Sequence, residues 1–397
     1  MRIFHMADLH IGKKLNQAGL ELDQAHMLEQ VIQRILAQKP DVLVLAGDIY
    51  DRRNPSVEAV ELLDAFLSKV VLDCKVPVIA ISGNHDSAER LGFASSILTK
   101  AGLHIAGRME LPVPQTILYD QWGPVVFHQL SYGDLATIKY ILQTEESMDY
   151  QTAMQTVLNT ITINRDNHTR HVLVAHGVVA AVHADDNDAE QTALDMPERS
   201  DSERELTIGG TEFWTSDLLT GFDYVALGHL HSCQKSGSER IRYAGSPLKY
   251  SFSEEHHRKG LLQIDMDGEG NITIEQLPLV PLYDMRTIRG NLTDLLQPEV
   301  VHAADHMDYI RAILTDYGEL LEPMARLREQ YPNVLLLERE QQMQAEPMAQ
   351  YCHADITAAQ PETLFAQFYR QVTGGDMTDA ELDIVAQSFR TVREEEN

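Results

Sequence analysis

The chain has 397 residues, of which 32 are Lys or Arg and 60 are Asp or Glu, giving a formal net charge of −28. Its length predicts two or three domains, and 44% hydrophobic residues exclude wholesale disorder. The acidity argues against a protein that coats nucleic acid, although a catalytic cleft can differ from the rest of the surface. Three widely spaced cysteines exclude a disulfide framework, and no apolar run approaches the ~20 residues of a membrane span. We therefore expect a cytoplasmic protein.

The first hundred residues alternate between patterns of buried strands and amphipathic helices. The predicted strands are Arg2–Ala7, Asp41–Gly47 and Val76–Ser82, and the predicted helices are Leu22–Ala37, Val57–Val71 and Ala88–Lys100. This alternation predicts βαβ units and a parallel sheet that is covered on both faces.

Strands dominate beyond residue 100. We predict strands at Thr116–Tyr119, Val125–Leu130, His171–His176, Tyr224–His229, Ile241–Ala244, Leu261–Asp267 and Asn271–Leu277, with helices at Tyr132–Gln143 and Thr152–Ile163. The polar segment Ala184–Glu205 predicts a long exposed loop. Pro278–Pro281 indicates a domain boundary, after which residues 281–397 contain no lysine.

Potential metal ligands follow five of the predicted strands. They are Asp8-Leu9-His10, Gly47-Asp48, Gly83-Asn84-His85-Asp86, His176-Gly177 and Gly228-His229-Leu230-His231. Because ligands of open α/β sheets bind at the carboxyl ends of the strands, we expect these side chains to meet at one sheet edge. Mixed carboxylate, imidazole and amide ligands suit Mn, Fe or Zn better than Ca or Mg.

Each motif has a simpler interpretation when it is taken alone. An Asp-x-His motif is common, and His229-x-His231 is also compatible with core or surface histidines. Gly83-Asn84-His85-Asp86 after a buried strand is much rarer, because these residues pack poorly at a strand end. All five motifs, in this order and each at a strand end, indicate a metal site.

The five motifs together resemble those of the calcineurin-like metallophosphoesterase superfamily. SDSERELTIGG at 200–210, YVALGHLH at 224–231, YAGSPLKYSFSE at 243–254 and FAQFYRQVTGG at 365–375 resemble its SbcD family of bacterial nuclease subunits in particular. The resemblance implies an α/β sandwich of two β-sheets flanked by helices, with a smaller α+β capping domain and C-terminal helices. The expected domains are a nuclease domain at 1–278, a capping domain at 279–355 and a partner-binding helical segment at 356–397.

The resemblance implies two divalent metal ions, most often Mn²⁺. Asp8, His10, Asp48 and His231 would hold one ion, and Asp48, Asn84, His176 and His229 would hold the other. Asp48 would bridge them, since two cations ~3.5–4 Å apart need shared negative charge.

His85 is the expected catalytic residue. The family implies that its imidazole supports the leaving group or the charge of the transition state. We expect Asp86 to orient that imidazole. Asp51 receives no catalytic role, because some relatives have a histidine at this position; capping of the following turn is one use for it.

The implied function is metal-dependent hydrolysis of DNA phosphodiesters, as a double-strand exonuclease and a single-strand or hairpin endonuclease in DNA repair, recombination and replication. The implied partners are DNA and an SbcC-type coiled-coil ATPase, with a homodimer inside a heterotetramer. The apolar helical faces Leu364, Phe365, Phe368, Tyr369, Val372 and Leu382, Ile384, Val385, Phe389, Val392 suit docking on that ATPase or packing on the cap.

Basic residues follow three of the ligand motifs and suggest a grip on DNA phosphates, although ordinary surface charges fit equally well. They are Lys13, Lys14, Arg52, Arg53 and Arg90. The basic segment His256–Lys259 predicts a solvated turn or a phosphate contact.

Two other functions remain open at this point. A phosphoesterase of the same superfamily that acts on small phosphodiesters or phosphoproteins has the same metal motifs. A scaffold that keeps the fold without catalysis is disfavoured, because every ligand and His85 are present.

Overall fold

The computed structural model describes residues 1–161, 163, 169–185, 188–203, 212–340, 365–366, 369 and 377–395. The chain divides into two compact units, Met1–Asp284 and Met285–Asn397. Within the described residues, no helix combines the length and the apolar character that crossing a membrane requires.

The first unit contains most of the strands. They are β1 Arg2–Met6, β2 Lys14–Leu15, β3 Ala18–Gly19, β4 Val42–Ala46, β5 Val78–Ile81, β6 Leu103–Ala106, β7 Gln115–Asp120, β8 Gly123–Leu130, β9 Arg170–His176, β10 Val178–Asp185, β11 Asp188–Asp195, β12 Phe213–Thr215, β13 Tyr224–Gly228, β14 Gln234–Ser236, β15 Ser238–Tyr243, β16 Gly260–Met266 and β17 Ile272–Pro278. Its α-helices are α1 Glu21–Gln38, α2 Val57–Ser68, α3 Ala88–Leu91, α4 Ser95–Leu98, α5 Leu135–Leu142 and α6 Tyr150–Asn159.

Two six-stranded sheets pack face to face in this unit. Their strand orders are β17-β16-β1-β4-β5-β6 and β14-β15-β13-β9-β8-β7. The central strands of each sheet run parallel, so their carboxyl ends share an edge. Between the sheets lies a buried core to which Val44 and Ile79 contribute from one side and Phe127 and Val174 from the other.

The outer faces of the sheets are also covered. In β4, Leu43 and Leu45 point to the face opposite Val42 and Val44, and all four are buried. The second sheet packs against α5 and α6 through a further apolar cluster. Burial on both faces explains why these strands have continuous apolar sequences without alternation.

The predicted strands and helices of the first unit are confirmed with small shifts of their ends, with two exceptions. Ala88–Lys100 is not one helix, because the chain breaks after α3 and Ala94 adopts a left-handed conformation at φ 57°. The predicted loop at 184–205 is wrong for β11, which pairs antiparallel with β10. Pairing with an apolar neighbour makes this polar segment a strand, and hydropathy alone does not reveal it.

The second unit has a smaller parallel sheet, β18 Met285–Gly290, β19 Tyr309–Leu314 and β20 Val334–Arg339, in that order. Its described helices are α7 Leu292–Leu295, α8 Pro298–Val301, α9 Pro323–Gln330 and α10 Asp379–Glu395. Ile310, Leu327 and Tyr331 are central to its core.

Several predicted features lie outside the described residues. These are residues 204–210 of the first family segment, the apolar positions Leu364, Phe368 and Val372, and the proposed boundary at 355/356. The three predicted domains therefore stay predictions.

A buried ion pair joins β7 to the start of β9. Asp120 receives two hydrogen bonds from the Arg170 guanidinium at 2.6 and 2.9 Å, and both side chains are less than 10% exposed. Arg170 also donates to the carbonyl oxygens of Gly123 and Asp267. Burial acts to raise the pKa of Asp120, but the Arg170 hydrogen bonds outweigh it and hold this pKa below its usual range.

We expect Asp120→Asn to lower the free energy of unfolding by about 3–5 kcal/mol at neutral pH, because it leaves a buried guanidinium without its counter-charge. Since the pKa of Asp120 is depressed in the folded state, its contribution is present above the ordinary value of 3.8 and is lost as the pH falls below it. Urea unfolding at pH 7 and pH 2 measures both effects. Equal stability of the variant and wild type at pH 7 would contradict this account.

Candidate metal centre

The carboxyl ends of five strands deliver the predicted ligands to one edge of the sandwich. Asp8 and His10 follow β1, Asp48 follows β4, Asn84 follows β5, His176 ends β9, and His229 and His231 follow β13. All seven side chains are buried. Ligand atoms of Asp8, His10 and His231 lie within 4.8 Å of one another, and so do those of Asp8, Asp48 and His176. These groups are positioned for a dimetal site.

The first group is centred on two imidazoles. The Nε2 atoms of His10 and His231 are 3.2 Å apart, and His10 Nε2 lies 3.7 Å from Asp48 Oδ2. Nitrogen and oxygen atoms at these separations can contact the same cation.

The second group brings two imidazole nitrogens and a carboxylate close to one amide oxygen. His176 Nδ1–H donates to the carbonyl oxygen of Ala46 at 2.9 Å, so Nε2 carries the lone pair in the neutral ring. That Nε2 lies 3.0 Å from Asn84 Oδ1 and 3.6 Å from Asp48 Oδ2. His229 Nδ1 lies 3.2 Å from the same amide oxygen. Converging lone pairs need a proton or a cation, and this donor set fits divalent cations.

Four of these residues adopt left-handed backbone conformations that non-glycine residues rarely occupy. The φ angles are 54° at Asp8, 44° at His10, 50° at Asp48 and 105° at His229. Hydrogen bonds hold this geometry: Asp8 N–H donates to Gly47 O, His10 N–H to Asp48 O, and His229 N–H to the Asp8 carboxylate, all at 2.9–3.0 Å. Such strain persists only where surrounding contacts determine the conformation, and it concentrates at functional sites.

Opposite charges share the buried centre. Burial and the nearby Asp48 charge raise the pKa of Asp8 well above its usual range. Burial also acts to raise the pKa of Asp48, but the His176 imidazole outweighs it and lowers that pKa. Burial acts to lower the pKa of His176, and Asp48 reverses this and raises it to about 9. The centre therefore attracts positive charge.

The imidazoles of the other three potential ligands, His10, His229 and His231, are held in the neutral form, which is the form that binds metals. Burial is the main cause that lowers the pKa of His10 and His229, and it lowers that of His231 to about 4. Neutral ligands reduce the competition between protons and metal ions.

His85 lies at the border between this cluster and solvent, with a side chain that is 17% exposed. Its backbone N–H donates to Asp48 Oδ1 at 2.8 Å, and its Nδ1 lies 2.9 Å from the carbonyl oxygen of Asp51. A carbonyl only accepts, so Nδ1 carries the proton. Nε2 is then the free atom, 4.0 Å from Asp48 Oδ2.

The prediction that Asp86 orients His85 is wrong. The Asp86 carboxylate accepts hydrogen bonds from the backbone N–H groups of Gly83, Ile49 and Tyr50 at 2.9–3.1 Å. It therefore ties the loop after β4 to the loop after β5, and the carbonyl of Asp51 orients the His85 ring.

The basic residues near the site differ in availability. Lys13 Nζ lies 2.8 Å from Asp51 Oδ1 and above the ring of Tyr250, so its charge is balanced. Arg90 donates to Asn54 at 2.6 Å. Arg52 is 73% exposed and lies 3.5 Å from the Asp51 carboxylate.

Sequence reasoning missed the side chains that surround His231. Glu254 and Lys259 are buried and contact each other at 2.5 Å, and Glu254 also contacts His231. The predicted solvated turn at His256–Lys259 is therefore wrong for Lys259. Glu254 belongs to the family segment at 243–254, but the resemblance implied no role for this residue.

Comparisons with known proteins agree with this geometry. A family profile described as calcineurin-like phosphoesterase matches residues 1–233, and one described as type 5 capsule protein repressor C-terminal domain matches residues 281–373. The chain is 30% identical over 383 residues to the D subunit of nuclease SbcCD from Staphylococcus epidermidis, covering 96% of each chain. It is 32% identical over 379 residues to the protein of the same name from Staphylococcus saprophyticus subsp. saprophyticus, covering 95% of each.

Among solved structures, a dimetal phosphatase from Danio rerio aligns with 70% of this chain and 98% of its own, with a TM-score of 0.40 and 12% identity. The phosphoesterase profile and the observed sandwich of mixed sheets and helices confirm the predicted fold class.

Gly83 leaves room for Asp48. A Cβ atom at Gly83 would collide with Oδ1 and the backbone nitrogen of Asp48. We expect Gly83→Ala to displace Asp48, to lower the free energy of unfolding by about 1–3 kcal/mol and to weaken uptake of divalent metal. Gly290→Ala is the control, because its Cβ would make only ordinary contact with Leu295 at 3.4 Å. Thermal unfolding and metal analysis after dialysis measure both effects; wild-type metal content in Gly83→Ala would refute the prediction.

Proposed function

The chain belongs to the calcineurin-like phosphoesterases and, among them, to the SbcD family of nuclease subunits, and on this premise we propose that it hydrolyses DNA phosphodiesters at the described centre. The observation that carries the proposal is the buried cluster of seven potential ligands with the partly exposed His85 at its border. The expected activities are double-strand exonuclease and single-strand or hairpin endonuclease activity in DNA repair, recombination and replication.

Two divalent cations would occupy the centre, and its donor chemistry favours Mn²⁺. Asp8, His10, Asp48 and His231 would hold one, and Asp48, Asn84, His176 and His229 the other. The position of Asp48 Oδ2, within 3.7 Å of a nitrogen from each group, supports a bridging role. When bound, the cations polarise phosphoryl oxygens and lower the pKa of water.

The chain's own residues orient the substrate and move a proton. The Asp51 carbonyl fixes the His85 ring so that Nε2 faces the space beside Asp48. From there, Nε2 of the neutral ring is placed to accept a proton, and Nε2–H of the imidazolium is placed to donate to a phosphoryl or leaving-group oxygen at the rim of the cluster. Its partial exposure leaves room for a polymer to approach.

A cavity of about 360 Å³ supports an anionic, nucleotide-sized substrate beside the centre. Gly83 and Asn84 line it together with Arg53, Tyr140 and Arg108, and Arg108 is paired with Glu89 of the same lining at 3.1 Å. Arginines suit phosphate groups, and an exposed tyrosine ring suits stacking on a base. The acidic net charge predicts that the isolated chain binds DNA weakly.

The names of the relatives denote one component of a complex, which supports an SbcC-type coiled-coil ATPase as the partner. The described part of the C-terminal segment exposes Leu382 at 41% and Ile384 at 64% on α10, as a helix that docks into a groove would. A homodimer within a heterotetramer and a cytoplasmic location complete the proposal.

Two substitutions separate catalysis from metal binding. We expect His85→Ala to keep both metal ions but to lose at least about 100-fold in hydrolysis, because general acid–base groups contribute about 10²–10⁴-fold. Asp48→Ala should lose metal as well as activity. His26→Ala, an exposed histidine on α1, is the matched control.

The measurements are metal content after dialysis against Mn²⁺ and cleavage of duplex DNA, a DNA hairpin, cyclic nucleotides and a phosphopeptide. Full nuclease activity of His85→Ala would exclude its proposed role. Cleavage confined to cyclic nucleotides or the phosphopeptide would instead support the alternative phosphoesterase function.

Charge reversal tests Arg52 and Arg53, of which Arg53 lines the cavity. Arg52→Glu with Arg53→Glu should weaken DNA binding and lower the slope of log affinity against log salt by about 1–2, because each lost phosphate contact removes about 0.9. Lys39→Glu with Lys75→Glu is the matched control, since these exposed lysines precede β4 and β5 at the opposite sheet edge. Binding at several salt concentrations, measured by fluorescence anisotropy, reports the slope; equal slopes in both double variants would count against the arginines.

A further inference from the structure

Within the proposed function, we propose that Glu254 is a positioning residue that fixes the orientation and tautomer of the His231 imidazole for metal binding. The two side chains lie on separate segments, 23 residues apart, and both are buried, with exposures of 0% and 1%. Glu254 Oε1 lies 3.1 Å from His231 Nδ1.

The hydrogen bonds around His231 leave one assignment for its proton. Ser202 donates its hydroxyl proton to Glu254 Oε1, so the Ser202 oxygen offers a lone pair to His231 Nδ1 at 2.7 Å. Nδ1 thus faces two acceptors and must carry the proton. The lone pair of Nε2 then points into the cluster, toward His10 Nε2 at 3.2 Å. This is the form in which an imidazole binds a metal through Nε2.

Lys259 holds Glu254 in place and balances its charge. Its ammonium group donates to Glu254 Oε2 at 2.5 Å, to Ser246 Oγ at 2.8 Å and to the backbone carbonyl of His231 at 2.9 Å. Three donors meet three acceptors, and the Lys259 side chain is only 6% exposed. Because the charge of Glu254 is neutralised by Lys259, the carboxylate remains at His231 and does not turn toward the metal centre.

Tyr250 ties the same segment to the other ligand loop. Its hydroxyl donates to the carbonyl oxygen of Leu9 at 2.5 Å, between Asp8 and His10. Its ring meets His10 and His231 edge-on, with centroid distances of 5.5 and 5.7 Å. Tyr250 therefore packs against two ligands of the first group, His10 and His231.

Glu254→Ala and Glu254→Gln test this role. We expect Mn²⁺ affinity of the first ion to fall about 10–100-fold in Glu254→Ala, which is typical when a group that orients a ligand is lost. Glu254→Gln keeps an acceptor oxygen and should lose less, which also guards against a variant that does not fold. Glu61→Ala is the matched control, because Glu61 is an exposed glutamate on α2.

Two readouts on the full chain decide the outcome. Calorimetric titration with Mn²⁺ gives affinity and stoichiometry, and ¹⁵N NMR of histidine-labelled apoprotein gives the His231 tautomer. Support requires the Nδ1–H tautomer in wild type and Glu61→Ala, a mixed tautomer in Glu254→Ala, and weaker binding in both Glu254 variants.

Wild-type affinity and an unchanged tautomer in both Glu254 variants would overturn the proposal, even if their thermal stability fell. Wild-type protein that takes up no Mn²⁺ would contradict the proposed function instead. In that case the tautomer in the apoprotein still decides whether Glu254 orients His231.

Discussion

The architecture of the first unit depends on placing two buried carboxylates, Asp8 and Asp48, at the ends of neighbouring parallel strands. Like charges in a low-dielectric interior repel, and burial penalises each of them. The backbone N–H groups of His229 and His85 and the imidazole of His176 offset that cost in part. Divalent cations would supply the remaining positive charge, so the centre is suited to ions that the chain alone does not provide.

This constraint determines the local sequence as well. Carboxylates and imidazoles converge only if the chain turns sharply where each strand ends, which accounts for the left-handed conformations of Asp8, His10, Asp48 and His229. It also accounts for the glycine at position 83, where any Cβ would strike Asp48. Strain at these positions is maintained by hydrogen bonds between loops, including those that Asp86 accepts.

The sequence predicted the parallel strands and the residues that meet at their ends, because both signals are local: apolar runs followed directly by acids, amides and imidazoles. It did not predict contacts between distant loops. Glu254 meets His231 across 23 residues and Ser202 across 52, and no periodicity or spacing encodes those meetings. Asp86 was misassigned for the same reason, since its nearest sequence neighbour, His85, is not its hydrogen-bond partner.

The net charge of −28 does not show how the basic side chains near the centre are used, but their contacts do. Lys13 is balanced by Asp51, Arg52 lies close to the same carboxylate, and Lys259 is buried against Glu254. The charges of Lys13 and Lys259 are thus used inside the protein, to hold loops and imidazoles in position, whereas Arg52 remains 73% exposed. Basic side chains that pair with the chain's own carboxylates improve the positioning of groups at the reacting phosphate. They add little general affinity for a polyanion. In the proposed assembly with a coiled-coil ATPase, holding DNA would then fall to the partner.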